Sequence, residues 1–300
     1  MDLSIMVSGL TKLFGDDLAA LVDAMRAADA AGIDQIVMPD HVVMGPRLDR
    51  YPYQEKFPYP PSEPWLEPLT TLAAIAGATE RIRLGTGVLI APLRPVLVLA
   101  KTVATLDVLS RGRVELGVGT GWQREEYAEP GMGFIGRTQR MDDAMRACRA
   151  LWETDGPVTF RSETISFDDI WCAPRPVQPR VRVWFGGAAN DATIRRVAEL
   201  GDGWLPLGPT LDEIASTVEK IRHAMEERGR DPMSLRVRHN LATVHRDDKS
   251  VDVDATVAQV APLADYGITT VALTLSRCAR RGEEVRPFFE ALGTAWQANR

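Results

Sequence analysis

Short runs rich in β-branched residues alternate with longer helical patterns along almost all of the 300 residues, and this alternation restricts the fold more than any other feature. Strands are predicted at Leu3–Val7, Gln35–Met38, Ile82–Leu89, Val114–Val118, Val181–Phe185, Gly203–Leu207, Leu235–Val244 and Thr269–Leu273. Between them, Asp17–Ala31 carries Leu18, Leu21, Val22 and Met25 at helical spacing, and Arg137–Trp152 carries Met141, Met145, Cys148, Leu151 and Trp152 on one side. Thr210 and Glu213 stand at capping-box spacing ahead of a helix to about Glu227, and a last helix covers Glu283–Ala298. Eight strand–helix units spell an α/β fold, a (β/α)8 TIM barrel. A doubly wound open sheet is the alternative, but eight units and the lack of a GxGxxG after the first strand weigh against it. The length suits one barrel, and with no linker or internal repeat the expectation is a single domain over residues 1–300.

Two connections exceed the usual few residues. The insertion after strand 2, Val42–Trp65, holds Tyr51, Tyr53, Phe57, Tyr59 and six prolines. The insertion between strands 4 and 5, Asp155–Arg180, contains VTFRS and TISFDD, which read as a small hairpin. Barrels keep function in the loops at the C-terminal ends of their strands, so Val42–Trp65 is expected to cover the active-site mouth. An ordered surface loop without a role is the other reading.

Several function classes fall away. A net charge of −6, from 35 basic and 41 acidic residues, is a poor field for nucleic acid. Cys148, Cys172 and Cys278 are scattered and form no CxxC, so neither a disulfide framework nor a metal site is expected. There is no signal-peptide pattern and no apolar run long enough to span a membrane, which makes the cytoplasm the expected location. No HxH, HExxH or GxSxG occurs, and no lysine falls at a predicted strand end for Schiff-base chemistry. His239 and His245 are read as one face of a strand without carboxylate partners. Glu125 and Glu126 resemble a glycosidase acid pair only in being adjacent, and adjacent side chains point apart.

The remaining polar and glycine positions gather at strand ends. Asp40 and His41 follow the second strand in IVMPDH, where an imidazole donates a hydrogen bond or moves a proton near neutral pH. Asp40 either orients that ring or caps the next turn. The third strand, IRLGTGVLIAP, holds two glycines, which fit a bulge, a close approach to a flat ring, or a plain barrel bend. The fourth ends in GVGTGW, where small residues leave a cavity beside the Thr120 hydroxyl or merely pack a tight turn. The fifth runs into Gly186-Gly187-Ala188-Ala189-Asn190-Asp191 and a helix, a geometry that offers free backbone N–H groups to a phosphate. Thr193 and Arg195 or Arg196 would add to it. Asn190 or Asp191 as an ordinary N-cap is the competing reading, and barrel phosphate sites more often follow strands 7 and 8.

Taken together, IVMPDH (36–41), LGTGVLIAPLRPVLVLAKTVATLDVLSRGR (84–113), RVELGVGTGW (113–122) and WFGGAANDATIRRVAELGDGWLP (184–206) resemble the luciferase-like monooxygenase superfamily. Within it the chain looks most like the branch of oxidoreductases that use coenzyme F420, a 5-deazaflavin. That resemblance implies a third-strand bulge, commonly with a non-proline cis peptide, at about Gly87–Val88 to support the deazaflavin ring. It places His41 at the ring, Thr120 and Trp122 near ring or substrate, and Gly186, Gly187, Ala188 and Thr193 on the cofactor phosphate. Relatives of this kind often form homodimers. The chain departs from the branch's sugar-phosphate dehydrogenases, which carry an acidic glutamate where Trp122 stands. Glucose 6-phosphate is therefore disfavoured, His41 becomes the best proton donor, and the indole favours an apolar, planar substrate. The expected activity is hydride transfer between the deazaflavin and a small organic substrate. Two alternatives are a two-component monooxygenase using reduced FMN and a non-catalytic cofactor-binding protein.

Overall fold

In a computed structural model that describes residues 1–52, 56–128 and 132–299, the predicted strands close into a barrel. Tyr53 of the long insertion lies outside the described residues. The strands are β1 (Asp2–Met6), β2 (Gln35–Met38), β3 (Arg83–Thr86), β4 (Leu89–Ile90), β5 (Val114–Gly119), β6 (Val158–Arg161), β7 (Ser166–Ile170), β8 (Arg182–Gly187), β9 (Gly203–Pro206), β10 (Arg236–Asn240) and β11 (Thr270–Thr274). The parallel order β3-β2-β1-β11-β10-β9-β8-β5 closes through β5 onto β3, and β4 continues β3 along the same neighbour. This is the (β/α)8 barrel, with helices such as Val96–Ser110, Arg137–Glu153 and Leu211–Glu226 packed outside.

The third predicted strand is interrupted where its glycines fall. Between the pairs Gly85↔Glu115 and Leu89↔Val118, the β3–β4 side carries one residue more than β5, which defines a bulge. The Gly87–Val88 peptide within it is cis, as the resemblance implied. Other boundaries shift. The first long helix begins at Ala20 rather than Asp17, and the last at Val285 after a 3₁₀ turn. Strand β10 ends at Asn240, short of the predicted Val244, because Val244 N–H turns to the Thr256 hydroxyl at 3.0 Å. His245 therefore shares no strand with His239 and lies in an isolated bridge to Val251. The capping box at Thr210 and Glu213 forms with both reciprocal hydrogen bonds.

The two insertions take different forms. β6 and β7 make the expected antiparallel hairpin, with Phe160 and Phe167 stacked at 5.7 Å. The described parts of Val42–Trp65 lie over the C-terminal mouth and are fastened at several points. The Tyr59 hydroxyl donates to Ser8 Oγ at 2.8 Å, Gly45 N–H donates to Gln123 Oε1 at 2.8 Å, and Thr11 N–H donates to Glu63 Oε1 at 3.3 Å. The loop thereby joins the ends of β1, β2 and β5.

Barrel interiors usually fill with branched apolar side chains. Here one layer is polar. Glu115 accepts from Gln35 Nε2 at 2.8 Å, Trp184 Nε1 at 3.0 Å and Arg182 Nη1 at 2.8 Å, and pairs with Arg83 at 3.2 Å. Gln35 in turn accepts from Arg238 at 2.9 Å. Buried polar groups need such partners, because each unsatisfied one costs about 1–3 kcal/mol. Cys148 and Cys278 are buried, and all three cysteines are free. Among the described residues no helix is long and apolar enough to cross a membrane, and no cluster of His, Cys, Asp and Glu is fit to hold a metal ion.

Candidate active site

A cavity of about 860 Å³ opens at the C-terminal end of the barrel. Its floor is made by Met6, Gly87, Val88, Gly119, Gly186 and Leu207, which come from the ends of five strands. The glycines keep this floor low. A Cβ on Gly119 would stand 2.6 Å from Val88 Cγ2, and one on Gly186 would stand 3.0 Å from Val88 Cγ1. Val88 thus lies across the glycine-lined ends of β5 and β8, a flat apolar seat at the bulge.

One wall is aromatic. His41, Tyr51, Phe57, Tyr59, Trp65 and Trp122 line it, and their rings meet mostly edge to face. His41 lies 4.8 Å from Trp65 and 6.1 Å from Trp122, centroid to centroid. Phe57, from the long insertion, touches both His41 at 5.6 Å and Trp122 at 5.4 Å. Such contacts add about 0.5–1.5 kcal/mol per pair beyond the area they bury, so the insertion and the ends of β2 and β5 hold one another in register.

His41 is oriented from behind. Its Nδ1 stands 3.2 Å from Glu126 Oε1, and that same oxygen accepts from Val42 N–H at 3.0 Å. The Glu126 side chain is fully buried, in a 3₁₀ turn just after β5, and its other oxygen has no partner. With the carboxylate fixing a proton on Nδ1, the opposite ring nitrogen is left for a ligand. Asp40 lines the cavity but is bound elsewhere. Its carboxylate accepts from Ile90 N–H at 2.8 Å and from Arg94 at 2.5 and 3.0 Å. It ties the end of β2 to β4 and to Arg94 rather than capping the turn that follows it; the imidazole's carboxylate partner is Glu126.

The remaining predicted positions divide. Thr120 and Trp122 line the cavity, with Tyr127 hydroxyl donating to the Thr120 carbonyl at 2.5 Å. Of the glycine turn, Gly186 reaches the floor, while Ala188 is exposed. Thr193 is buried behind the turn, its Oγ1 2.6 Å from where a Cβ on Gly187 would sit. Asn190 caps the following helix by accepting from Thr193 N–H at 2.9 Å. The N-cap reading of the turn is therefore realised, and a phosphate there would rest on backbone donors near Gly186 rather than on the Thr193 hydroxyl. At the mouth, Lys12, Arg50, Arg137 and Arg277 line the cavity with Ser8, Ser276 and the acidic Glu63, and Arg50 pairs with Glu125 at 3.8 Å. That basic rim matches an acidic, phosphorylated tail.

Two residues with clear roles in this geometry escaped the sequence reading. Glu126 was set aside as half of a sequence-adjacent pair. Trp65 was noted only as the end of the insertion. Its side chain lines the cavity, and its Nε1 is buried and has no acceptor. An orphaned donor at a cavity wall is what a ligand oxygen satisfies. The seat at the bulge, the orphaned indole and the basic rim together fit a flat ring with an anionic tail.

Residues 4–291 match the luciferase-like monooxygenase family. An uncharacterised protein of Mycobacterium tuberculosis (strain H37Rv) is 30% identical over 83% of this chain and 84% of its own. A phthiodiolone/phenolphthiodiolone dimycocerosates ketoreductase of Mycobacterium bovis (strain BCG) is 29% identical over 81% of this chain and 66% of its own. In structure, the chain is similar to the monooxygenase RslO1 of Streptomyces bottropensis, with TM-score 0.81 at 19% identity over 100% and 99% of the two chains. It is also similar to an F420-dependent secondary alcohol dehydrogenase bound to an F420-acetone adduct, with TM-score 0.77 at 17% identity over 100% of both. The oxygenating component of 3,6-diketocamphane monooxygenase from Pseudomonas putida, in complex with FMN, has TM-score 0.72 at 14% identity over 98% and 96%. The match along nearly the whole chain, joined to the barrel and its bulged third strand, makes this protein a member of the luciferase-like monooxygenase family.

Proposed function

We propose that the protein is an F420-dependent oxidoreductase that moves a hydride between the deazaflavin and a small, apolar carbonyl or alcohol substrate. One observation carries this reading: His41, held by the buried Glu126, faces the same cavity as the bulged seat at Gly87–Val88. When bound, the deazaflavin supplies or accepts the hydride at its C5. The chain's own residues do the rest. The free nitrogen of His41 gives a proton to the substrate oxygen as a carbonyl is reduced, or takes the hydroxyl proton in the reverse direction. Glu126 keeps the ring aimed. Trp65 Nε1 donates to a ligand oxygen. Trp122, Phe57 and Tyr51 present flat apolar faces that select an uncharged substrate, and the fastened insertion keeps water out. The basic rim supports F420 over FMN, because it suits a longer acidic tail.

The test is turnover under anaerobic conditions. F420 is supplied oxidised with secondary alcohols and reduced with ketones, enones and nitroaromatics. The expected result is consumption of the coenzyme that His41→Ala lowers by about 10²-fold or more. Oxygen uptake with reduced FMN and no turnover with F420 would replace this reading with the monooxygenase. Tight binding without turnover of any substrate would favour a carrier.

A further inference from the structure

Among the described residues, neither β10 nor the residues directly after it line the cavity. Yet Arg238, in the middle of β10, lies just below the floor. Its Nη1 stands 3.3 Å from where a Cβ on Gly87 would sit, next to Met6, and both Gly87 and Met6 are floor residues. The side chain is almost wholly buried, packed with its guanidinium 5.2 Å from the Trp184 ring. Nη2 donates to the Gln35 amide, while Nε is buried without an acceptor. No carboxylate pairs with Arg238 among the described residues. Glu115 is taken up by Arg83, Arg182, Trp184 and Gln35, so the Gln35 amide stands between it and Arg238. Burial is the main influence on this guanidinium and pulls its pKa down to about 10, which still leaves a cation at neutral pH.

A buried cation without a direct counterion is costly, and an apolar residue of similar volume is often the more stable choice. The cost makes sense where negative charge forms nearby. Hydride transfer delivers one proton and two electrons to the acceptor ring, so that ring gains one unit of negative charge. Above neutral pH the reduced ring keeps it. A cation beneath the seat, in a low-dielectric interior, acts on that charge over several ångströms. We infer that Arg238 is a fixed buried cation that stabilises the reduced, anionic form of the cofactor ring seated on the Gly87–Val88 bulge and thereby raises its reduction potential. This rests on the cofactor reading above, with Arg238 as a positioning charge that touches neither ring nor substrate.

The experiment is a set of anaerobic binding titrations above neutral pH. Wild type, Arg238→Met and Arg238→Lys are each titrated with oxidised and reduced F420, and in parallel with oxidised and reduced FMN. Wild type should bind the reduced form about tenfold more tightly than the oxidised, equivalent to a rise of about 30 mV for a two-electron couple. In Arg238→Met the two affinities should become about equal, and Arg238→Lys should keep most of the preference. An unchanged ratio in folded Arg238→Met overturns the inference. So does equal affinity in wild type, a result that needs no variant to fold. If FMN alone binds, the F420 reading fails while the ratio with FMN still decides for or against Arg238. If neither binds in either state, both fail.

Discussion

His41 works only as well as it is aimed, and its aim comes from Glu126, 85 residues away in sequence. Glu126→Gln keeps the shape but replaces the carboxylate oxygen that holds His41 Nδ1 with an amide. We expect kcat to fall by about tenfold to a hundredfold, less than in His41→Ala, with the affinity for F420 within about threefold of wild type; steady-state kinetics and a binding titration measure both. Trp65 gives a second prediction. Its buried Nε1 has no partner in the protein, so Trp65→Phe removes an unsatisfied donor. Thermal stability should stay within about 1 kcal/mol of wild type, while ligand affinity drops about fivefold, the worth of one hydrogen bond. A large loss of stability with unchanged affinity would contradict that role. At this scale the sequence was informative about His41, because the residue directly follows a strand. It was not informative about Glu126, because contacts between the loops after β2 and β5 leave no local periodicity. Asp40 looked equally placed to serve His41, and its carboxylate is spent on Arg94 and Ile90 instead.

Elements are held by a few tight approaches and by buried ion clusters. The seat depends on β5 and β8 coming close to Val88, which only glycine allows at Gly119. Gly119→Ala should destabilise the fold by about 1–3 kcal/mol through overpacking and weaken cofactor binding by at least about tenfold, as read by denaturant unfolding and titration. Binding unchanged in the folded variant would mean the ring does not rest there. Below the barrel, Asp202 accepts from Val183 N–H at 3.0 Å and pairs with Arg149, Arg180 and Arg230, clamping β8, β9 and the helix Arg137–Glu153 together. Burial alone would push its carboxyl up, but the arginines outweigh it and hold it below its ordinary value. A carboxylate with a lowered folded pKa contributes stability above its unfolded pKa and loses it as pH falls through the folded value. Asp202→Asn should therefore cost about 1–3 kcal/mol at neutral pH, because it leaves Arg149 with Glu153 as its remaining carboxylate at 3.2 Å, and the deficit should shrink steadily below about pH 4. The glycines of the third strand made a bulge legible in the sequence. The exact end of β10 was not, because Thr256, a dozen residues on, draws the chain away by a side-chain hydrogen bond.

Across the whole molecule, the alternation of strand and helix was enough for the barrel, since eight such units have one common closed solution. The cavity required more. It depends on a proline-rich insertion fastened to Ser8, Thr11 and Gln123, contacts that only the folded chain brings together. The account's central claim is that this one cavity seats a deazaflavin. Trp65 and Trp122 line it and serve as built-in reporters. Tryptophan fluorescence titrated with F420 and separately with FMN tests the claim most directly. The account predicts saturable quenching by F420 with low-micromolar affinity, clearly tighter than by FMN, and a smaller quench in Trp122→Phe. Tight FMN quenching with none from F420, or F420 quenching that Trp122→Phe leaves untouched, would contradict it.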